Sequence, residues 1–161
     1  MGVLTGLWRQ LHMVDETDDW RDWAQNAWGN IQKRREDERL KSRNFVAEED
    51  RIRRDTPLLW SQFRTAAKAM CEAFNNHAGN DLLIWDSERL HQALIRIEPS
   101  SATFSAIFDP EHLRLHLEGK QLNETYSPVV QDGQVVFGNG RTFTPPDLAR
   151  RFLDSIVKSI P

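Results

Sequence analysis

Hydrophobic positions along the chain keep two rhythms. Over residues 15–31, Trp20, Trp23, Ala24, Ala27, Trp28 and Ile31 recur every three or four residues, the spacing of one helical face. Asp15 or Thr17 can cap that helix, and acids at 15, 16, 18 and 19 suit its positive end. Gly29 weakens its last turn. Residues 56–77 repeat the rhythm more fully. Thr56 can cap, Pro57 fits the first turn, and Leu59, Phe63, Ala66, Ala67, Met70 and Phe74 form one stripe up to a stop at Gly79. A third stripe, Leu148, Phe152, Ile156 and Ile160, widened by Leu153 and Val157, follows a cap at Thr144 and predicts a helix over 146–160.

Between these helices, residues 82–143 alternate with period two. In "HLRLHLE", Leu113, Leu115 and Leu117 face one way and Arg114, His116 and Glu118 the other. "SATFSAIF" precedes it across the turn "DPEH", and "LLIW" and "ALIRI" add one or two strands. Asp132–Gly133 is a two-residue hairpin signal, and Asn139–Gly140 marks a further turn. Parallel neighbours would need crossovers of a dozen residues or more, so turns this short predict an antiparallel meander. One apolar sheet face must be covered, and helices 57–77 and 146–160 are the cover.

Residues 31–55 carry nine Lys/Arg and seven Asp/Glu. Asp37–Lys41, Glu49–Arg53 and Asp50–Arg54 have the i,i+4 spacing that supports an exposed helix by a few tenths of a kcal/mol each. Leu40, Phe45, Val46 and Ile52 keep no heptad, so an exposed helix is expected rather than a coiled coil. All seven prolines fall after residue 56. The expected class is therefore α+β: an antiparallel meander of five or six strands covered on one face by helices. Residues 1–55 form a charged helical extension and 56–161 a helix–sheet–helix domain.

Composition narrows the chemistry. The net charge is −3, which argues against a broad nucleic-acid binder. Cys71 is the only cysteine, so no internal disulfide forms. The opening "MGVLTGLWRQ" lacks a basic n-region, and Gly6 stands where a myristoylation motif needs Ser or Thr. No run approaches 18 apolar residues. A cytoplasmic protein without a membrane span is expected.

Catalytic signatures are sparse. His112 and His116 sit four residues apart in a predicted strand, about 13 Å along it, too far for one zinc ion. Cys71 lies one residue off a helical stripe, the setting of a small buried hydrophobe. "WDSERLH" gathers Asp86, Glu88 and His91 near a turn, where acids are mostly solvated. There is no phosphate loop and no nucleophile elbow. No metal, cofactor or catalytic residue is assigned.

The three tryptophans remain. Indoles at 20, 23 and 28 need burial, either against the 56–161 domain or against another copy or a different protein. The leading expectation is a non-enzymatic binding or assembly protein using this Trp-rich helix for protein contacts, self-association included. The competing expectation is a small-molecule binder or cofactor-free enzyme with a pocket between sheet and helices. Its lining would be Trp85, Phe104, Phe108, Tyr126 and Phe137, with His91 or Glu88 as polar handles. A nucleic-acid role for the basic run Lys33–Arg43 ranks last, because acids at 36–38 interrupt it.

Overall fold

In the computed structural model, strands β1 (Leu83–Asp86), β2 (Gln92–Ile97), β3 (Ala102–Asp109), β4 (Arg114–Gly119), β5 (Leu122–Gln131), β6 (Gln134–Gly138) and β7 (Thr142–Phe143) follow one another as an antiparallel meander. Helix α1 (Leu7–Ala78) precedes them and α2 (Pro145–Val157) ends the chain. The structure describes residues 7–86 and 89–161 and, within them, the side chains from Asp19 onward. The chain divides into two compact units, Met1–Ala47 and Glu48–Pro161.

The α+β meander expected from the sequence is the observed fold, with seven strands instead of five or six. The added strand is β7, whose two residues are too few to show alternation. Turn chemistry sets the register. Asp132 and Gly133 both take positive φ, 49° and 76°, as a tight hairpin matched to strand twist requires, and Gln131 pairs with Gln134 across it. At the β3–β4 turn, Asp109 Oδ1 accepts the backbone N–H of Glu111 and of His112, at 3.0 and 3.1 Å. Leu113 belongs to that turn, at φ 54°, and not to the strand face of Leu115 and Leu117 where alternation put it. Strand β5 changes partner midway: Leu122–Tyr126 pairs with β4, and Ser127–Gln131 with β6. Pro128, which has no N–H to donate, lies in the half that has left β4.

The inward sheet face carries Ala93, Ile95, Phe104, Ala106, Phe108, Leu115, Leu117, Tyr126 and Phe137, all buried. Over it lie Leu59, Trp60, Phe63, Ala67 and Cys71 of α1 and Leu148, Ala149, Phe152 and Ile156 of α2. Phe63 and Phe152 meet at 5.9 Å between ring centroids. Full burial of each such ring stabilises the fold by about 1.5–3 kcal/mol. Outward positions such as Arg96, Thr103, Glu118 and Thr125 are exposed. Thr144 caps α2 as expected, its hydroxyl accepting the Asp147 N–H at 3.3 Å.

Helix boundaries are corrected at Thr56. No helix starts there, since α1 runs through both Gly29 and Pro57. Thr56 is fully buried, and its hydroxyl donates to the Ile52 carbonyl at 2.5 Å, a bond back into the preceding turn. Pro57 deprives the Arg53 carbonyl of its partner, at a site where Arg53 and Pro57 both lie on the exposed side. Packing of the next two turns against the sheet outweighs that loss. Residues 48–55 join the second unit: Ile52 packs on the core, and Arg51 donates to the Gly133 carbonyl at 2.8 Å.

Candidate functional site

The first unit presents large apolar side chains to solvent. Trp20, Trp23 and Trp28 are 70%, 72% and 53% exposed. Leu40, Phe45 and Val46 are exposed on the same helix. Around Trp28 the surface is hollow: Trp28, Gln32, Arg35, Glu36, Arg39, Leu40 and Arg43 line a concavity of about 430 Å³. The Arg35 guanidinium lies 5.8 Å from the Trp28 ring centroid, within cation–π range. Ala27 and Ile31 are partly shielded by their neighbours. Singly exposed apolar side chains are ordinary on a protein surface, but three exposed indoles within nine residues of one helix are more than that.

The pocket candidates fall in three places. Phe104, Phe108, Tyr126 and Phe137 are buried core side chains. Phe108 stacks on Trp60 at 5.7 Å, and Trp60 on Phe63 at 5.8 Å. His91 is exposed, with its ring 6.0 Å from that of Phe108. Trp85 lines a groove of about 660 Å³ between α1 and the β1–β2 edge, with Lys68, Cys71, Glu72, Asn75 and Arg96 among its neighbours. Glu88 lies outside the described residues. Burial pushes the Cys71 thiol up to about 12, so it stays protonated at neutral pH and is no nucleophile as it stands.

Other titratable groups pair locally. His112 Nδ1 lies 2.7 Å from Asp109 Oδ2, and hydrogen bonds from the His112 backbone and ring hold the Asp109 carboxyl below its usual range. His116 Nδ1 lies 2.8 Å from the Thr125 hydroxyl. Arg54 pairs with its neighbour Asp55 at 2.8 Å. Among the described residues no three His, Cys, Asp or Glu gather as metal ligands. No described helix is long and apolar enough to cross a membrane.

Three residues that the sequence reading passed over organise the second unit. Trp60 Nε1 donates to the Leu90 carbonyl at 3.0 Å. Asn75 bonds both backbone groups of Leu83: Nδ2 donates to its carbonyl at 2.9 Å, and Oδ1 accepts its N–H at 3.0 Å. Arg151 grips Glu124 with two donors, Nη2 to Oε1 at 2.7 Å and Nε to Oε2 at 3.2 Å. Its Nε also lies 3.0 Å from the Tyr126 hydroxyl, which donates to Glu124 Oε2 at 2.5 Å. Arg151 holds Glu124 below the ordinary carboxylate range, while burial and then Glu124 push Tyr126 up to about 12. The cluster ties α2 to β5 and keeps its phenol protonated. The position of Trp60 beside Leu59 on the 56–77 stripe was the one available hint.

No protein-family model, curated protein or solved structure matches the chain.

Proposed function

We propose that this is a non-enzymatic binding or assembly protein that acts through protein–protein contacts made by the Trp-bearing stretch of α1, self-association among them. The observation that carries the reading is the exposure of Trp20, Trp23 and Trp28 on one helical stretch. Buried indoles are the side chains on which interface energy concentrates. The second unit fills its own core with the four aromatics that a ligand pocket would have needed, which weakens the pocket reading. The basic strip Arg35, Arg39, Arg43 shares its hollow with Glu36, which weakens the nucleic-acid reading. Cys71, the lone cysteine and a buried thiol, suits a cytoplasmic setting.

Light scattering after gel filtration tests the reading on the full-length chain. The expected result is an oligomer whose Trp emission is blue-shifted, and a Trp20→Ala/Trp23→Ala/Trp28→Ala chain that is monomeric with an unchanged circular dichroism melt. A parent chain that is monomeric across the whole accessible concentration range overturns the self-association form of the proposal.

A further inference from the structure

We propose that the occupant of the Trp face is the same stretch of a second copy, lying antiparallel. The inference rests on the self-association reading and adds the partner's identity and direction. Trp20, Ala24, Ala27 and Ile31 follow one another at spacings of four, three and four, the centre line of one helical face. Trp23 and Trp28 flank that line on its two sides. The two central residues are alanines, so two helix backbones can approach closely there while the indoles close over the seam.

Charge decides the direction. From Trp23 to Gln32 the helix carries no charged residue. Over residues 15–22, just before that stretch, the sequence has acids at 15, 16, 18, 19 and 22 and one base, Arg21. After it come Lys33, Arg34 and Arg35 in succession, before the acids at 36–38. A parallel pair sets acids against acids and bases against bases. An antiparallel pair sets the acidic flank of each copy against the basic flank of the other, at both ends of the seam. With the two-fold axis between Gln25 and Asn26, Trp23 comes level with Trp28 of the second copy, Trp20 with Ile31, and Ala24 with Ala27, while Asp18 comes level with Lys33 and Glu16 with Arg35. Those levels place every central apolar residue against another apolar residue and leave the charged flanks to meet outside the seam. Like charges across an interface suppress the wrong arrangement, so the same blocks that favour the antiparallel pair disfavour the parallel one.

Two measurements on the full-length chain test this. One is sedimentation equilibrium at low and high salt. The other is pulsed electron resonance between spin labels at Lys41→Cys, where Cys71 is 1% exposed and shielded from labelling. The antiparallel register sets the two labels about 45 Å apart along the helix axis, from 1.5 Å of rise per residue. The expected result is a dimer with that separation, weakened by salt, and weakened at least tenfold by Lys33→Glu/Arg34→Glu/Arg35→Glu. A dimer that Trp20→Ala/Trp23→Ala/Trp28→Ala abolishes, but whose labels lie level at under about 25 Å, overturns the antiparallel pairing and leaves the assembly reading standing; two helices in contact are only about 8–10 Å apart. A parallel pair is also strengthened by salt, because screening relieves its repulsion. A monomer at every concentration, or a dimer indifferent to the three Trp→Ala changes, overturns both.

Discussion

Phe104 lays its ring over Gly119, the residue level with it on the neighbouring strand, in the space where a β-carbon would stand. The ring shields a stretch of bare strand backbone, and the glycine in turn lets the ring lie flat against β4. Gly119→Ala therefore forces the buried ring aside. It is expected to destabilise the protein by about 1–3 kcal/mol, the usual cost of overpacking. Phe104→Ala is expected to cost about 3–5 kcal/mol. In the double variant the alanine at 119 meets no ring, so urea denaturation of all four chains should give a combined loss smaller than the sum.

Asn75 does for Leu83 what a neighbouring strand would do, on the open edge of β1. Asn75→Ala leaves both backbone groups without this partner. The expected loss is about 1–3 kcal/mol, from two hydrogen bonds each worth about 0.5–1.5 kcal/mol. Denaturant midpoints measure it, and a faster rise in light scattering on storage would report the uncovered edge.

The Arg151–Glu124–Tyr126 cluster predicts a two-sided pH profile. Glu124 ionises more readily folded than unfolded, so its contribution is present above its unfolded pKa and lost as pH falls through the lower folded one. Tyr126 holds its proton more tightly when folded, so its contribution is present below about 10 and lost as pH rises from there toward about 12. Arg151→Ala removes the partner that favours the Glu124 carboxylate. The melting temperature of that variant should fall less steeply on acidification than that of the parent chain.

Pro57 stands inside a helix, on its exposed side. Proline in a helix interior is less favourable than alanine by about 3 kcal/mol. Pro57→Ala restores the N–H that the Arg53 carbonyl lacks. The variant is expected to unfold at higher urea concentration than the parent chain, by about 1 kcal/mol or more. A lower midpoint would mean that a bend at Pro57 is needed to seat Leu59 and Trp60.

Much of this fold is readable where a local rule and the tertiary structure agree. Asp132–Gly133 wants positive φ at both positions, and the β5–β6 hairpin supplies it. Thr144, two prolines and Asp147 announce α2 with its cap. The sequence misleads where local and global preferences compete. Thr56–Pro57 looks like a helix start because the capping rule is local, yet the buried threonine bonds backward to Ile52 and the packed turns beyond it carry the helix through. At the candidate site, a stripe of Trp, Ala and Ile at helical spacing is legible in the sequence, but nothing in that spacing tells a face buried within the chain from one left open. Phe104, Phe108, Tyr126 and Phe137 illustrate the same limit from the other side: aromatics that line a cavity and aromatics that fill a core alternate alike along a strand.

In the seven-strand sheet every strand pairs with its neighbour in the chain, from β1–β2 to β6–β7. Each pairing therefore closes only a short loop, and none waits for a distant segment to arrive. Chains whose contacts are this local in sequence cross a low entropic barrier on the way to the native state. The sheet is thus built to assemble rapidly by successive hairpins, and its refolding should outpace that of β-proteins of similar size whose strands pair across long crossovers.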